Sequence, residues 1–509
     1  MSTLVPRKPY TDDELKQLYP DGLNLQFVQV LMRHGERTPV SSRFQNTGLQ
    51  PFWPYCASVR QMSRPLISPQ HQPCDSHHPQ KTAIMAHGGE KGDAPFSTLE
   101  WKRRLETFGD NDKPITATGP DGQVDDICDM GALTDTGRQS TFRLGQRLRD
   151  LYVDRLHFLP ATISSTDFLY LRSTPIPRAL ESMQQAFSAL YPPTAREPDA
   201  TGKYPAPVIM TRAPGDETLF PNDSLCRRFA QLSRAFAQRA AERWNDTEDM
   251  EYLSRKLGKW MPDGGRVAVD SRPRLSGIMD TVNATDAHGP QTKLPREFYD
   301  PKVKEILEKV GVDEWFSGYK ENREYRVLGI GGLMGDVVGR MMESVEHQGA
   351  GEEGVKFGLS GCHDTTLAAV LASLGAYETK AWPPFTSHIA IELFREEPMG
   401  TAGRGSWWGG LFSRASTPSI GRKPMTALSA AEKAKLDGYY VRLRYNDEPV
   451  TIPGCRIQGN HLEGDETFCT LTAFKTIVDK YTPQNWKAEC RMNLNTPTNP
   501  KAEPEPAGY

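Results

Sequence analysis

Residues 25–39 read LQFVQVLMRHGERTP, an apolar run that ends abruptly in a charged cluster. Phe27, Val28, Val30, Leu31 and Met32 make the run nearly continuous. Such a run is typical of a strand buried on both faces, as in a parallel sheet. The cluster at 33–39 would then lie at the carboxyl end of the strand, where open α/β sheets bind their ligands.

Two further segments repeat this arrangement of strand, polar cluster and helix. The apolar residues 168–171 run into Arg172-Ser173-Thr174, and a helical pattern follows from Pro177. Residues 355–359 run into Ser360-Gly361-Cys362-His363-Asp364, and another helical pattern follows. Because the carboxyl ends of parallel strands share one edge of a sheet, we expect the three clusters to converge.

The residue types in these clusters suit phosphoryl transfer. This reaction requires an in-line nucleophile, cationic donors for the phosphate oxygens and a proton for the departing alkoxide. Arginine binds phosphate through a planar, permanently charged fork, and a neutral imidazole is a competent nucleophile. The pattern predicts His34 as nucleophile, Asp364 as acid, and a phosphate site of Arg33, Arg37, Arg172 and His363.

The charges of this site also predict its pH dependence. Neighbouring arginines oppose protonation of His34 and keep its imidazole reactive in acid. Asp364 must carry a proton to donate one, so we expect an acidic optimum. The arginines supply the positive charge themselves, and we therefore expect neither a metal nor another cofactor.

Arg33-His34-Gly35-x-Arg37-x-Pro39, taken together with His363-Asp364, resembles the histidine acid phosphatase family. The resemblance extends over most of the chain, and segments 172–182, 218–222 and 382–385 point to the lysophosphatidic acid phosphatase type. It implies a phosphohistidine intermediate on His34 and the same phosphate-binding and acid residues. It also implies one α/β domain with a smaller helical one.

Three alternatives stay open. Arg172 could form a structural salt bridge, because buried arginines commonly pair with carboxylates. The substrate could be an inositol phosphate, as for a phytase, rather than another phosphomonoester such as lysophosphatidic acid. A non-catalytic relative that retains the phosphate pocket is the third, although the presence of both His34 and Asp364 argues against it.

The predicted fold is α/β: a mixed, mostly parallel central sheet flanked by helices, with a smaller, mainly helical cap domain. Its α/β core comprises residues 21–60, 131–209 and 346–490, and the cap comprises 210–345. The remaining parts are an N-terminal extension at 1–20, an irregular insertion at 61–130, a second insertion at 395–438 and a disordered tail at 491–509.

Composition and charge exclude several classes of protein. The net charge of −3 offers no general attraction to nucleic acid or anionic lipid. No segment has the ~18 apolar residues that a transmembrane helix needs. Eight scattered cysteines do not form a disulfide framework, so we expect reduced thiols in a cytoplasmic protein. Cys455, Cys469 and Cys490 are the candidates for a bridge, and the family resemblance makes a mitochondrial location the alternative.

Two local patterns invite other interpretations. His71, Cys74, His77 and His78 match no common zinc-ligand spacing, and a solvated loop is the preferred interpretation. The segment Trp407-Trp408 lies in a Gly-rich stretch and could make a weak contact with a membrane or a partner. A loop tip that folds back on the protein is the preferred interpretation there.

Overall fold

A computed structural model describes residues 7–56, 82–86, 96–100, 105–108, 110–117, 127–204, 206–262, 265–350, 354–377, 381–397 and 420–509. The Trp407-Trp408 segment and the cluster at 71–78 lie outside these residues, as does most of the insertion predicted at 61–130. Two short hairpins of that insertion are described.

The described strands are β1 Leu23–Arg33, β2 Thr82–Ala86, β3 Phe96–Glu100, β4 Leu105–Phe108, β5 Pro114–Ala117, β6 Leu169–Ser173, β7 Ile209–Met210, β8 Phe357–Cys362, β9 His388–Glu396, β10 Tyr439–Tyr445, β11 Glu448–Val450, β12 His461–Leu462 and β13 Asp465–Thr470. Nine of them form the central sheet, in the order β12-β13-β10-β9-β1-β8-β6-β7, with β11 paired to β10. The strand predicted from the opening stretch, β1, is central in this sheet.

The sheet confirms the mixed α/β class, but its parallel share is smaller than predicted. The pairings β1–β8, β8–β6 and β6–β7 are parallel, whereas the five other pairings of the central sheet are antiparallel. The antiparallel part arises because β9 and the later strands return alongside β1 in the opposite direction. The parallel part contains the three strands whose ends carry the predicted site.

The described helices are α1 Asp12–Leu18, α2 Asp135–Arg149, α3 Pro177–Leu190, α4 Arg227–Trp244, α5 Glu248–Leu257, α6 Leu275–Asp286, α7 Pro301–Glu321, α8 Arg323–Arg326, α9 Gly332–Ala350, α10 Asp364–Ser373, α11 Ala430–Ala434, α12 Leu471–Asp479 and α13 Trp486–Glu489. They cover both faces of the sheet. Val28 and Val30 of β1 face the core shared with α2 and α3, and Phe27 and Leu31 face the core shared with α6, α7 and α10. Alternate side chains of one strand therefore enter two cores, which explains its unbroken apolar run.

The tail beyond residue 491, which we predicted to be disordered, lies against the protein instead. The amide of Glu505 donates to the carbonyl of Glu321 over 2.8 Å, and Arg326 donates to the carbonyl of Glu505 over 3.0 Å. The amide of Gly454 donates to Gly508 over 2.7 Å, and Ala507 is buried. Backbone hydrogen bonds, which composition does not reveal, hold this Pro-rich segment.

The structure also corrects the expectation of reduced thiols. Disulfides join Cys56 to Cys128, Cys226 to Cys490, and Cys455 to Cys469, while the buried Cys362 is free. All three cysteines suggested for a bridge are thus in disulfides: Cys455 and Cys469 pair with each other, and Cys490 pairs with Cys226. Disulfides persist in oxidising compartments, so the cysteines no longer support the predicted cytoplasmic location. That location stays a prediction. No helix in the described ranges combines the length and apolarity that crossing a membrane demands.

Candidate active site

The ends of β1, β6 and β8 bring the three polar clusters together. Within the sheet Arg33 is in register with Cys362, and Ser173 with Gly361. The hydrogen bonds continue past the strands, because the amide of His34 donates to the Cys362 carbonyl over 3.1 Å. The predicted convergence of His34 with the His363-Asp364 pair is therefore observed.

Gly35 fixes the path of the chain beyond the histidine. A Cβ on Gly35 would lie 2.3 Å from the carbonyl oxygen of Gly137, and a Cβ on Gly137 would lie 2.2 Å from that of Glu36. The amide of Gly35 donates to Ser182 Oγ of α3 over 3.1 Å. Only glycine allows the site loop to approach the first turn of α2 so closely.

His34 is held as a neutral imidazole with a defined tautomer. Its side chain is 1% exposed, and Nδ1 lies 2.9 Å from the carbonyl oxygen of Gly35. A carbonyl only accepts hydrogen bonds, so Nδ1 carries the proton and Nε2 keeps its lone pair. Burial lowers the pKa of His34 well below its usual value, and the positive charge of Arg178 lowers it further. The nucleophilic nitrogen thus remains available in acid.

Arg33 and Arg37 flank the imidazole as predicted. The guanidinium of Arg33 lies 4.1 Å from the ring centre of Phe385 and donates to the carbonyl of Pro383. Among the described residues, the buried Nε of each arginine has no hydrogen-bond partner. Buried donors left unpaired in the free protein are available to bind phosphate oxygens without rearrangement.

Arg172 does not join this site, and its predicted role as a phosphate ligand is wrong. The residue is 1% exposed, its Nη2 lies 2.6 Å from Glu217 Oε1, and its Nη1 lies 3.5 Å from Asp336 Oδ2. The side chain thus lies among carboxylates that already neutralise it. The alternative interpretation, a structural salt bridge, describes Arg172 correctly.

Arg178 occupies the place that we assigned to Arg172. Its positive charge is the largest electrostatic influence on the pKa values of both His34 and His363, and its buried Nε also has no described hydrogen-bond partner. Burial, aided by the charge of Arg37, lowers the pKa of Arg178 to about 10, so it remains protonated. The sequence did contain a signal: Pro177 at the first helical position places Arg178 in the first turn of α3, directly after the strand end.

His363 lies beside His34, with 5.5 Å between the two ring centres. Its Nε2 is 3.1 Å from the hydroxyl oxygen of Thr174, which follows β6. Burial lowers the pKa of His363 to about 3, and the charge of Arg178 contributes to that shift. His363 is therefore a neutral member of the cluster at the pH values at which the enzyme is expected to work.

Asp364 opens α10 and pairs with Arg33. The two groups are 2.8 Å apart, and the indole of Trp382 donates to the same carboxylate oxygen over 2.9 Å. Burial raises the pKa of Asp364, but the charge of Arg33 and the Trp382 hydrogen bond outweigh it and bring the pKa to about 2. The carboxylate is therefore ionised before a substrate arrives.

A cavity of about 210 Å³ opens next to these groups and is lined by both aromatic and charged side chains. Its aromatic residues are Trp315, Trp382 and Phe385. Asp364, Arg43 and Asp280 are among its charged residues. The described residues contain no group of three or more His, Cys, Asp or Glu side chains arranged to hold a metal ion.

Comparison with known families agrees with this geometry. A model of the histidine phosphatase superfamily (branch 2) matches residues 24–446, which include the described site. The chain belongs to this superfamily. Membership confirms the predicted enzyme class for this histidine phosphatase: a phosphoric monoester hydrolase of the acid phosphatase type.

Individual relatives extend the similarity over nearly the whole histidine phosphatase chain. A protein of Schizosaccharomyces pombe named a probable acid phosphatase is 34% identical over 479 residues, 93% of this chain and 95% of the relative. Human lysophosphatidic acid phosphatase type 6 is 26% identical over 377 residues, 73% and 74% of the two chains. The apo form of Hafnia alvei phytase superposes with a TM-score of 0.51 at 14% identity, covering 93% of this chain and 99% of the phytase. This last likeness shows the fold.

Proposed function

We propose that the phosphatase works through a phosphohistidine on His34. Nε2 of His34 attacks phosphorus and forms a P–N bond while the ester P–O bond breaks. The departing alkoxide takes a proton from Asp364. Water then attacks the phosphoryl group, gives a proton back to Asp364 and releases phosphate with the imidazole neutral again.

One observation carries this proposal: a buried imidazole whose Nε2 keeps its lone pair lies among three guanidinium groups, each with a buried Nε–H that has no hydrogen-bond partner among the described residues. Arg33, Arg37 and Arg178 supply donors for the equatorial oxygens of the transferring phosphoryl group. Such preorganised donors stabilise charge that develops in the transition state. Burial strengthens these interactions because little water competes for them.

The proton on Asp364 arrives with the substrate in this scheme. The pKa of Asp364 is about 2 in the free enzyme, so the carboxyl is ionised at pH 5. A phosphomonoester has a second pKa of about 6 and binds as a monoanion in acid. Phosphate charge placed beside the carboxylate raises the carboxylate's pKa, and the proton moves to Asp364. The acidic optimum then reflects the protonation of the complex.

Trp382→Phe tests the proton assignment. Removing the indole N–H removes a hydrogen bond that lowers the pKa of Asp364, so that pKa rises. The alkaline limb of the kcat profile should move up by about one pH unit, because a hydrogen bond to a charged group is worth about 1.5 kcal/mol. Trp486→Phe is the matched control, since its indole donates to a backbone carbonyl outside the site. An unmoved limb would mean that the Asp364 proton does not control kcat.

We further propose lysophosphatidic acid, or a monoester of similar amphiphilic character, as a substrate. Trp315 and Trp382 line the cavity together with Asp364, which faces the leaving group in the proposed reaction, and the Trp382 indole donates to that carboxylate. Trp315 is 41% exposed, and its ring centre lies 6.3 Å from that of Trp382. An exposed aromatic surface at this position offers contact area to an acyl chain.

Trp315→Ala tests whether the acyl chain of the leaving group contacts the aromatic residues of the cavity. We expect kcat/KM for a short-chain lysophosphatidate to fall about tenfold, the loss typical of removing an apolar contact. The value for glycerol 3-phosphate, which has no acyl chain, should stay within twofold. Phe142→Ala provides a control on α2, because this exposed aromatic does not line the cavity. Equal losses of kcat/KM on both substrates would show that Trp315 does not contact the acyl chain.

An inositol phosphate is the second candidate substrate. The Hafnia alvei phytase supports it only through the shared fold. Arg43, which also lines the cavity, lies 3.0 Å from Asp280, a carboxylate that it shares with Arg37. A comparison of kcat/KM for lysophosphatidate and inositol hexakisphosphate decides between the two. A clear preference for the inositol substrate would overturn the lysophosphatidate proposal and leave the acid phosphatase activity untouched.

A further inference from the structure

Asp280 connects α6 to two arginines of the segment that follows His34. It lies in α6, in the middle of the segment predicted as a cap, and is 11% exposed. Its Oδ1 is 2.7 Å from Nη1 of Arg37. Its Oδ2 is 3.0 Å from Nη1 of Arg43 and accepts the amide N–H of Val40 over 3.1 Å. Both carboxylate oxygens are therefore engaged by the segment that follows His34.

These contacts fix the direction of the Arg37 guanidinium. Nη1 is bound on one side by Asp280 and on the other by the carbonyl of Thr38, at 3.0 Å. The buried Nε has no described partner, so it remains available to a bound anion. A guanidinium is planar, and holding one nitrogen at two points orients the others. Asp280 thus determines which edge of Arg37 meets the phosphate.

Asp280 also changes the charge of the pocket. Arg33 and Asp364 form one ion pair, and Arg37 and Asp280 form another. The charge of Asp280 also opposes part of the lowering of the Arg178 pKa, which places it within electrostatic reach of the third arginine. A pocket with several uncompensated guanidinium groups would hold the phosphate product tightly. A carboxylate on the outer side of Arg37 weakens that hold.

We propose that Asp280 is a positioning residue that orients Arg37 for the transition state and speeds phosphate release. The proposal rests on the role of Arg37 in phosphate binding given above. Asp280 lies in α6 and affects the reaction through its contact with Arg37.

The isosteric variant Asp280→Asn separates this role from a structural one. We expect kcat for p-nitrophenyl phosphate to fall about tenfold or more, since small misplacements of catalytic groups have effects of this size. The inhibition constant of inorganic phosphate should fall as well, because a negative charge has been removed from an anion site. A purely structural residue would lower the thermal midpoint and leave both constants unchanged. Asp280→Glu should recover part of kcat.

Glu321→Gln is the matched control, because Glu321 forms a two-point ion pair with Arg239 between α4 and α7. It should leave kcat and phosphate inhibition within twofold of the parent. Unchanged kcat in a folded Asp280→Asn protein, or a rise in the phosphate inhibition constant, overturns the proposal.

The double variant Arg37→Met/Asp280→Asn shows whether Asp280 acts through Arg37. Two residues that act as one unit are not additive, so the double variant should match Arg37→Met within about twofold. A full tenfold further loss in the Arg37→Met background would overturn the positioning role. If Arg37→Met itself keeps full activity, the proposed phosphate site has failed, which is a different result from failure at Asp280 alone.

Discussion

Replacing His34 with Ala is expected to lower kcat for p-nitrophenyl phosphate at pH 5 by about a thousandfold or more. Without the imidazole no P–N bond forms, and the guanidinium groups are left with a phosphate but no nucleophile. Activity within tenfold of the parent would end the phosphohistidine mechanism.

The intermediate itself provides a second measurement. Mixtures of the parent enzyme and ³²P-labelled substrate that are quenched in alkali should contain labelled protein, and the label should be lost when the protein is transferred to acid. His34→Ala protein should carry no label. His347→Ala is a suitable control, because this partly buried histidine lies beside a different cavity, lined by residues such as Leu23 and Lys356. It should be labelled like the parent.

Arg178→Met is expected to lose activity and keep its stability, whereas Arg172→Met is expected to lose stability and keep most of its activity. Arg178→Met removes a donor beside His34 and should lower kcat/KM by about a hundredfold or more, as for other transition-state donors. Its fold should persist, because other residues supply the packing of α3. Arg172→Met leaves Glu217, which is 0% exposed, without its counter-ion. Breaking a buried pair in this way costs about 3–5 kcal/mol of folding free energy.

The comparison requires activity and stability to be measured on the same preparations. We expect the thermal midpoint of Arg178→Met to stay near that of the parent and the midpoint of Arg172→Met to fall by several degrees. Residual folded Arg172→Met should retain a kcat/KM within about tenfold of the parent. A folded Arg172→Met protein that is as inactive as Arg178→Met would restore Arg172 to the phosphate site.

Most of the site could be located from the sequence because the ends of buried strands are recognisable in it. An unbroken apolar run signals a doubly buried strand, and the polar residues that follow it must leave the sheet at a known edge. This reasoning brought His34, Arg33, Arg37, His363 and Asp364 together correctly. The roles assigned to them stay predictions until the variants are measured.

The arginine of the second cluster was misassigned for a physical reason. Arg172 lies within β6, where successive side chains alternate between the two faces of the sheet. The carboxylates that Arg172 meets on its face, Glu217 and Asp336, lie far away in sequence. Arg178 comes six residues later and is carried back to the sheet edge by the start of a helix. Distinguishing them requires the positions of distant carboxylates.

Long-range partners account for the other differences. The disulfide between Cys226 and Cys490 joins residues 264 positions apart, and no local pattern predicts such a pair. Asp280 reaches the site from a helix that was predicted only as part of a cap. Local periodicity identifies helices and strands. It does not show which residues of different elements contact each other, because those contacts depend on packing between segments that are distant in the sequence.

The Pro-rich end of the chain supplies acceptors for charges elsewhere in the molecule. Arg228 donates to the carbonyl of Thr496 over 2.7 Å, Arg239 to that of Pro500 over 2.5 Å, and Arg326 to that of Glu505 over 3.0 Å. Trimming this segment as dispensable would leave three largely buried guanidinium groups short of oxygen ligands and uncover the helices beneath them.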